Sequence, residues 1–509
     1  MKAAVAALVV TFGWLGSAQA TGSERYFALI VGYNGAPAGT TDRTIQPLHY
    51  ADDDALAFYQ LQRETGAEAI VLTIPDSDTR QRYPQAAEIA RSPTKSEVFQ
   101  AIDALNARMD LAAREGDTPT LVVFYSGHGA RTQTDGNNEA ALTLLDGSLS
   151  QTALHEQVLK KVHAAIVHLV IDACHAEALV RSRDVNAQTV EIAPADIASH
   201  LSETTAARYP NVGLVIASRS NAPAHEWDLY QSGVFSHEVI SALRGAADVN
   251  GDGRVEYSEL GAFLTAANRE VVDPRARVRS LVQPPAVRAR AALIRIGPGA
   301  QAGWLVGIPS SAGQFYVEDA RGNRIVDGRA EIGFTMSVAV PAGETLFVRK
   351  DGKDAELFVR AGDRKSFDQL TFQARPVRSR GAMESALQAG LFVMPYGPSY
   401  YSGYVDRGDV VPVADLPRQT LSAGPRPPET ETSPTILRSS LRGATVAFLT
   451  TSAIFGALSW NAYRDYQATP LQVEAAEASD RFKLDSTLAI SFLVSGIACG
   501  VTSYLVGRR

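Results

Sequence analysis

Two side chains that can do covalent chemistry each follow an apolar run in this sequence. His128 follows residues 121–125, and Cys174 follows residues 166–171. Both runs are short and rich in β-branched residues, which is typical of buried parallel strands. The carboxyl ends of such strands meet at one edge of an open sheet, so we expect the imidazole and the thiol to lie side by side if the strands are neighbours. A thiol beside an imidazole becomes a nucleophilic thiolate near neutral pH.

Cysteine usage bears on the state of this thiol. The chain has two cysteines, and the second, Cys499, lies in an apolar segment near the C terminus. Cys174 therefore has no disulfide partner within the preceding domains, and a buried, inert thiol is the common fate of a free cysteine. Its polar neighbours Asp172 and His175 would make burial costly, which favours a reactive thiol instead.

The motifs around these residues, Ser-Gly-His-Gly at 126–129 and Asp-Ala-Cys-His at 172–175, together resemble those of the caspase-like cysteine peptidases. The bacterial metacaspase type is the most similar branch, and the resemblance covers about half the chain. It implies an α/β fold with a mainly parallel sheet flanked by helices, over residues 24–290, and a protein or peptide substrate. The chain departs from the family at residues 176–177, where Ala-Glu replaces the usual Ser-Gly. This departure leaves the cysteine and histidine in place.

Peptide-bond hydrolysis through an acyl-enzyme is the predicted chemistry. Cys174 would attack the scissile carbonyl as its thiolate, and His128 would assist and then protonate the leaving amine. The main-chain N–H groups of Gly129 and Cys174 would hold the oxyanion, where a glycine leaves the necessary room. His168 is predicted to be a packed core residue, and His175 is assigned no chemistry.

The resemblance also implies a substrate preference. In the metacaspase-type branch, an acidic residue two positions before the cysteine lines the pocket for the side chain that precedes the cut, and Asp172 has this position. The pocket would then accept Arg or Lys, because a carboxylate in a partly dry pocket pairs strongly with a cation. Asp228 is a second candidate for the same pocket. Arg181 and Arg183 are then candidate self-cleavage points, although a plain surface loop between residues 181 and 210 explains the same sequence.

Residues 248–259 match the twelve-residue EF-hand loop that binds Ca²⁺. The predicted oxygen ligands are Asp248, Asn250, Asp252, the main-chain carbonyl of Arg254, Glu256 directly or through water, and Glu259 as a bidentate ligand. A metal-free turn rich in Asp and Gly is the alternative, and the complete ligand pattern favours calcium. A single hand lacks the usual paired partner, which favours a structural role over sensing. No organic cofactor is predicted.

Three consecutive aspartates, residues 52–54, precede a stretch with helical apolar spacing. A metal site is one interpretation of this run. Capping and solvation at a helix N terminus explain it more simply, because the helix dipole favours negative charge there. We therefore predict that these carboxylates cap a helix and face solvent.

Further elements follow from the hydrophobic pattern. Strands are predicted at residues 26–32, 69–74 and 212–218, and a helix begins after Pro93. Strands that alternate with helices indicate a mainly parallel sheet. Residues 300–375 carry short strand-like runs between turns and predict a small β-sandwich with a binding or spacer role.

Residues 376–440 are predicted to be a linker region, rich in Pro, Ser, Thr and Glu in its later part. An aromatic cluster within it includes Tyr396, Tyr400 and Tyr401. Packing under the sandwich and contact with a membrane surface are both open for this cluster.

The two ends of the chain predict export and a membrane anchor. Residues 1–20 combine a charged start, an apolar run and a small-residue cleavage site, which indicates a signal peptide, with an uncleaved anchor as the alternative. Residues 443–463 and 488–506 carry no charge and approach the length that spans hydrocarbon. They predict a transmembrane hairpin, and two buried soluble helices are the alternative. The charges that flank the hairpin do not cleanly support the orientation implied by the signal peptide, which puts the peptidase domain on the periplasmic or extracellular side.

Charge excludes one class of partner and leaves a second function open. The net charge of -7 and the pI near 5.8 give no basic footprint, so no nucleic-acid partner is predicted. The alternative to a peptidase is a catalytically silent caspase-like binding or scaffold module at the membrane, with Cys174 idle. The intact pair of nucleophile and base favours the enzyme. A calcium-triggered sensor is a third hypothesis.

Overall fold

The structure is a computed structural model of the 509-residue chain. It describes residues 23–36, 46–134, 137–173, 208–218, 226–271, 277–297, 300–374, 390–408, 410–414 and 416. All of these belong to one compact unit, residues 1–418. The predicted signal peptide, both predicted membrane segments, the candidate self-cleavage points and Cys174 lie outside the described residues. Within the described part of the chain, no helix is long and apolar enough to cross a membrane.

A seven-stranded sheet forms the centre of the first domain. In spatial order its strands are β13 (Arg279–Gln283), β9 (Val212–Ser218), β8 (Ile166–Asp172), β4 (Thr118–Gly127), β1 (Glu24–Tyr33), β2 (Glu68–Thr73) and β3 (Ala90–Arg91). Every neighbouring pair is parallel except β13 with β9. The predicted mainly parallel α/β sheet is therefore confirmed, and the antiparallel edge strand β13 is an addition to it.

Helices cover both faces of this sheet. The helices of the described chain are α1 (Ala51–Glu64), α2 (Ser77–Arg82), α3 (Ala86–Ile89), α4 (Lys95–Arg114), α5 (Gln151–Ala153, continued by a π-helical turn, Leu154–Leu159), α6 (Val234–Ser241, continued by a π-helical turn, Ala242–Ala246), α7 (Tyr257–Asn268) and α8 (Pro398–Val405). Alternate residues of β4 enter opposite cores: Leu121 packs with the α4 side, and Val122 packs with the α1 side. Because both faces are buried, the strands have continuous apolar runs.

Short strands complete the first domain. A three-stranded antiparallel sheet follows His128 directly and consists of β5 (Gly129–Thr134), β6 (Asn137–Leu144) and β7 (Gly147–Ser150). Two further pairs are β10 (Glu226–Trp227) with β11 (Ser232–Gly233), and β12 (Arg254–Glu256) with β14 (Ala292–Arg295).

Two further sheets, with mostly antiparallel strand pairs, are formed by residues after 300. Their strands are β15 (Gly303–Pro309), β16 (Phe315–Asp319), β17 (Arg324–Gly328), β18 (Thr335–Val340), β19 (Thr345–Lys350), β20 (Lys353–Phe358), β21 (Arg364–Ser366) and β22 (Gln373–Ala374), with 3-10 turns at Ser310–Ala312 and Phe367–Gln369. The strand orders are β18-β15-β21 and β17-β16-β19-β20-β22. Leu305 of one sheet and Val317 of the other are fully buried in the same hydrophobic cluster. We call residues 303–374 the β-domain.

Buried charged groups join the β-domain to the first domain. Arg244, which pairs with Glu64 of α1 at 2.7 Å, also donates to the Ala339 carbonyl of the β-domain at 3.4 Å. His237 Nε2 lies 2.7 Å from Asp327 Oδ2, and Arg324 forms a close ion pair with the same carboxylate. Asp327 is fully buried, so its charge is matched inside the protein by a guanidinium.

The aromatic cluster of residues 390–414 packs against both domains. Tyr396 and Tyr401 are 2% and 1% exposed. The Tyr396 hydroxyl donates to the Ala247 carbonyl at 3.1 Å, and its main-chain N–H donates to the Arg329 carbonyl of the β-domain. Of the two alternatives open from the sequence, packing is the one observed.

Candidate active site

The strands that lead to the histidine and to the cysteine are hydrogen-bonded neighbours. β4 and β8 are parallel, and Ser126 pairs with Asp172 in their register. His128 is the second residue after Ser126, and Cys174 is the second residue after Asp172. The condition set in the sequence analysis, that the two strands are neighbours, is met. Cys174 itself lies outside the described residues, which end here at the buried Ala173.

The His128 ring is oriented by a main-chain carbonyl. Its Nε2 lies 3.0 Å from the Gln46 carbonyl oxygen. Since a carbonyl can only accept, Nε2 carries the hydrogen, and Nδ1 is the nitrogen that can take a proton. Burial lowers the pKa of His128, although the Gln46 carbonyl opposes this shift. The imidazole is therefore neutral at neutral pH, as a general base must be.

The backbone around His128 is fixed by Tyr125. The Tyr125 hydroxyl lies 2.9 Å from the His128 carbonyl and 2.8 Å from the Thr143 carbonyl. A Cβ atom at position 127 would lie 2.5 Å from the same hydroxyl, so glycine is required there by close approach. Gly129 begins β5 and pairs with Leu142. Its proposed oxyanion role remains a prediction.

Asp172 lies at the N terminus of α6. The carboxylate is 5% exposed, and its Oδ2 accepts hydrogen bonds from the Ser236 main-chain N–H at 3.2 Å and the Ser236 hydroxyl at 2.9 Å. Ser236 is in the first turn of α6, where the helix dipole favours a negative charge. The structure thus holds Asp172 as a buried, oriented carboxylate beside the end of β8.

A second carboxylate, missed from the sequence, lies in the same place. Asp54 Oδ2 accepts from the Ser126 hydroxyl at 2.7 Å, and Oδ1 accepts from the Ser232 hydroxyl at 2.5 Å and the Gly233 N–H at 3.0 Å. It is 1% exposed. Burial raises the pKa of Asp54 well above its usual range, and the charge of Asp172 raises it further.

The prediction that residues 52–54 cap a helix and face solvent is wrong. They do occupy the first turn of α1, where Asp52 accepts from the Asp53 N–H at 3.1 Å, but all three are buried. Asp52 accepts from the Asn34 amide at 2.7 Å, and Asp53 pairs with Arg82 at 2.6 Å. The first turn of α1 faces the interior, so tertiary partners satisfy these carboxylates instead of water.

Asp228, the second sequence candidate for the pocket, is exposed and accepts from the Tyr50 hydroxyl at 2.9 Å. Glu226, two residues earlier, is the more buried acid. Its carboxylate accepts from the main-chain N–H groups of His49 and Tyr50 at 2.9 and 2.7 Å. Burial raises the pKa of Glu226, and the charge of Asp172 adds to the shift. Of Asp228 and Glu226, it is Glu226 that joins Asp54 among the acids affected by the charge of Asp172.

His168 is confirmed as a core residue. It is fully buried on β8, and its Nδ1 lies 2.6 Å from the Tyr257 hydroxyl at the start of α7. Burial lowers the pKa of His168 to about 3, so it stays neutral. This contact links β8, which leads to the cysteine, with α7, which begins within the EF-hand-like loop at 248–259.

The loop at 248–259 folds around its own acidic side chains. Asp248 accepts from the main-chain N–H groups of Gly251 and Gly253 at 2.7 and 2.9 Å. The two oxygens of Glu259 accept from the N–H groups of Val249 and Glu256 at 3.0 and 2.8 Å. Within the described ranges, no three His, Cys, Asp or Glu side chains are grouped closely enough to hold a metal ion.

The donor chemistry of this loop nevertheless fits a divalent cation. Burial raises the pKa of Asp248 to about 6, and the charge of Asp252 adds to the shift. Burial raises the pKa of Glu259 well above its usual range, and the charges of Asp248 and Asp252 raise it further. Carboxylates that raise one another's pKa in this way would be stabilised by a cation between them. Glu256 differs from the other predicted ligands, since it pairs with Arg290 at 3.2 Å.

EF-hand loops usually pair with a second loop, and here the loop pairs with a strand of the same domain, β14. β12 contains residues seven to nine of the loop and pairs antiparallel with β14, with Val255 opposite Ile294. The loop is also tied to the C-terminal part of the unit, because the Asn250 amide donates to the Ala414 carbonyl at 2.9 Å. The lone loop is therefore supported on both sides by its own chain.

Comparison with known proteins agrees with this architecture. A family model described as the caspase domain matches residues 25–292, more than half of the chain. A crystal structure of a protein from Geobacter sulfurreducens is 16% identical, with 52% of this chain and 98% of that chain covered and a TM-score of 0.32. No curated protein is significantly similar to this chain. The chain belongs to the caspase-domain family of peptidases.

Proposed function

We propose that this protein is a cysteine endopeptidase in which Cys174 is the nucleophile and His128 the general base. The observation that carries the proposal is the register of β4 and β8, in which Ser126 and Asp172 are partners. Each candidate residue follows its partner by the same number of residues. Two parallel neighbouring strands that end level deliver their following residues to one edge of the sheet.

The His128 environment supports the base role. Nε2 is held by the Gln46 carbonyl, so Nδ1 is available to take the thiol proton and later to protonate the leaving amine. The resulting thiolate forms the bond to the scissile carbonyl carbon, and the amine leaves with the proton that His128 returns. Water then hydrolyses the thioester, and the thiol is restored.

The substrate side chain that precedes the cleaved peptide bond is proposed to be Arg or Lys. Asp172 and Asp54 are both buried and both held by serine hydroxyls, and two carboxylates in a dry pocket favour a cation over an anion. Aspartyl substrates are disfavoured for the same reason. In this proposal Asp54, on α1, lines the pocket together with Asp172.

The test is a panel of fluorogenic peptides that end in Arg, Lys or Asp, incubated with the wild-type chain and Cys174→Ala. Cleavage after Arg or Lys that disappears in the variant is expected. Cleavage after Asp would overturn the pocket assignment and keep the nucleophile. Turnover by neither protein, with no labelling by a thiol-directed probe, would favour the silent binding module.

We also propose that the loop at 248–259 binds Ca²⁺ through Asp248, Asn250, Asp252, the Arg254 carbonyl and Glu259. Mutual repulsion of its carboxylates and the support from β14 favour this, whereas the Arg290 pair makes Glu256 the least available ligand. Isothermal titration with Ca²⁺, with Glu259→Gln as the comparison, tests it. Equal heats for both proteins would contradict the proposal.

Export and membrane anchoring remain proposals that rest on the sequence of residues 1–20, 443–463 and 488–506. An uncharged pair of long apolar segments after an exported domain favours a membrane hairpin. Fractionation of cells that express the full chain, with and without residues 440–509, tests the anchor. Recovery of both proteins in the soluble fraction would contradict it.

A further inference from the structure

Asn34 lies at the same edge of the central sheet as His128. Tyr33, the last residue of β1, pairs with Gly127, the last residue of β4. Asn34 follows Tyr33 directly, and His128 follows Gly127 directly. Because the two strands are parallel and end level with each other, Asn34 leaves the sheet beside the histidine.

The main chain of Asn34 holds residues 46–50, which we call the histidine-orienting loop. The Asn34 carbonyl accepts from the Leu48 N–H at 2.8 Å. Leu48 is two residues from Gln46, whose carbonyl oxygen lies 3.0 Å from His128 Nε2. Gln46 is exposed, so hydrogen bonds in the loop, and not burial of this residue, must fix the position of its carbonyl.

The side chain of Asn34 fixes the helix that follows the loop. Its amide oxygen accepts from the main-chain N–H groups of Ala51 and Asp52 at 2.8 and 3.3 Å, and its amide nitrogen donates to Asp52 Oδ1 at 2.7 Å. Tyr50, the N-cap residue of α1, makes no side-chain capping hydrogen bond. Asn34 therefore supplies the acceptor that a capping side chain would otherwise give, and it holds the end of the loop as well as its middle.

We propose that Asn34 is a positioning residue, which holds the Gln46 carbonyl against His128 and thereby keeps the hydrogen of the neutral imidazole on Nε2. This inference rests on the proposed function, because it assigns how the general base is oriented. Without a fixed acceptor at Nε2, either ring nitrogen can carry the hydrogen. An imidazole with its hydrogen on Nδ1 cannot take the thiol proton at that atom.

The direct test compares Asn34→Ala with Asn106→Ala. Asn106, on α4, is also an amide that bridges two segments, since it donates to the Lys161 carbonyl at 2.8 Å and accepts from the His163 N–H at 2.9 Å. These contacts precede the amino end of β8, away from the site. The ¹⁵N NMR shifts of the His128 ring, recorded above the pKa of the imidazole, report which nitrogen carries the hydrogen. We expect the Nε2–H tautomer alone in the wild type and in Asn106→Ala, and both tautomers in Asn34→Ala.

Steady-state kinetics give a second readout. For arginyl peptides, kcat is expected to fall roughly 10-fold in Asn34→Ala with KM nearly unchanged, because the imidazole is neither oriented nor held in one tautomer. A single Nε2–H tautomer in Asn34→Ala, or equal mixing in Asn106→Ala, would overturn the role of Asn34 and leave the peptidase standing. Mixed tautomers confined to Asn34→Ala, without arginyl cleavage by the wild type, would support the positioning role and overturn the peptidase.

A second variant, Asn34→Asp, keeps the test decisive if Asn34→Ala does not fold. The new carboxylate can still accept from the Ala51 N–H, so the start of α1 stays capped. It cannot donate to Asp52 and repels that carboxylate instead. Both tautomers and a lower kcat are expected in this variant too, and a wild-type tautomer with a wild-type kcat would overturn the role of Asn34.

Discussion

Ser126 and Asp172 are register partners at the ends of β4 and β8, and the Ser126 hydroxyl also donates to Asp54. The strand that leads to the histidine is therefore tied to the two buried carboxylates, Asp54 and Asp172, at the end of the strand leading to the cysteine. Asp172 and Ser126 share one rigid support, because both strands are buried in the sheet. Substrate binding and bond cleavage are thus expected to depend on the same few residues.

The pH dependence of substrate binding should report on Asp54. Its pKa is raised by burial and by Asp172, so the carboxyl stays protonated to higher pH than usual and attracts a cation only once it ionises. For arginyl peptides, kcat/KM is expected to rise with pH as Asp54 loses its proton. Asp54→Asn should remove this limb and lower kcat/KM by roughly 10- to 100-fold, the value of a charged hydrogen bond.

The control for this profile is Asp103→Asn, an exposed carboxyl on α4. It should keep the wild-type profile in full. An Asp54→Asn profile that retains the limb would assign the titration to another group.

Tyr125→Phe should weaken both stability and turnover. The hydroxyl can donate its one hydrogen to the His128 or the Thr143 carbonyl, and the His128 carbonyl also accepts from the Thr143 main-chain N–H, so the loss of the hydroxyl leaves one carbonyl short of a donor. The free energy of unfolding is expected to fall by about 1–3 kcal/mol, with kcat reduced more than KM because the histidine backbone shifts. Urea unfolding and steady-state kinetics measure these effects. Tyr59→Phe, half-buried on α1, is the matched control, and equal losses in both variants would refute a specific role for Tyr125.

Without calcium, the stability of the protein should depend on the state of Asp248. Its folded pKa is raised from 3.8 to about 6, so its contribution to stability is present below pH 3.8 and is lost as the pH rises through about 6. The loss is at most about 3 kcal/mol. Calcium should restore this stability at neutral pH. Asp248→Asn should show neither the loss of stability with rising pH nor its recovery with calcium. Thermal unfolding at pH 5 and pH 7, with calcium or chelator, measures this, and an unfolding temperature indifferent to calcium at both values would count against the site.

The β-domain and the first domain should unfold together. Asp327 is fully buried between Arg324 and His237, and its removal leaves an unpaired guanidinium. Asp327→Ala is expected to cost about 3–5 kcal/mol, whereas Arg321→Ala, which removes an exposed guanidinium that pairs with Asp319 and Glu344, should cost less than about 1 kcal/mol. Denaturant unfolding followed by circular dichroism compares them. Two separate unfolding transitions in the wild type would contradict joint unfolding, and similar costs for the two variants would contradict the importance of the buried pair.

The sheet could be predicted from the sequence because its strands are buried on both faces. Residues 166–171 were expected to form a strand, and β8 spans Ile166–Asp172. The same holds for β9, predicted and observed at residues 212–218. Continuous apolar runs leave little ambiguity about where such strands begin and end. The neighbouring order of β4 and β8 was left as a condition and is seen only in the structure.

The pocket could be predicted only in part, because its members are distant in sequence. The family resemblance implied a pocket role for Asp172, but Asp54 is recognised only when Ser232 and Gly233 are seen to contact it. A run of three aspartates before a helix has the composition of a solvated cap, and only tertiary contacts reveal that it is buried. The pairing of β12 with β14 was hidden for the same reason.

The central claim is that Cys174 is the nucleophile activated by His128. The most direct measurement is labelling by an arginyl chloromethyl ketone, with the modified residue identified by peptide mass spectrometry, in the wild type and in His128→Ala. We predict that Cys174 alone is modified in the wild type and that His128→Ala slows its labelling by at least roughly 100-fold. Modification of another residue, or an equal rate in the variant, would contradict the account.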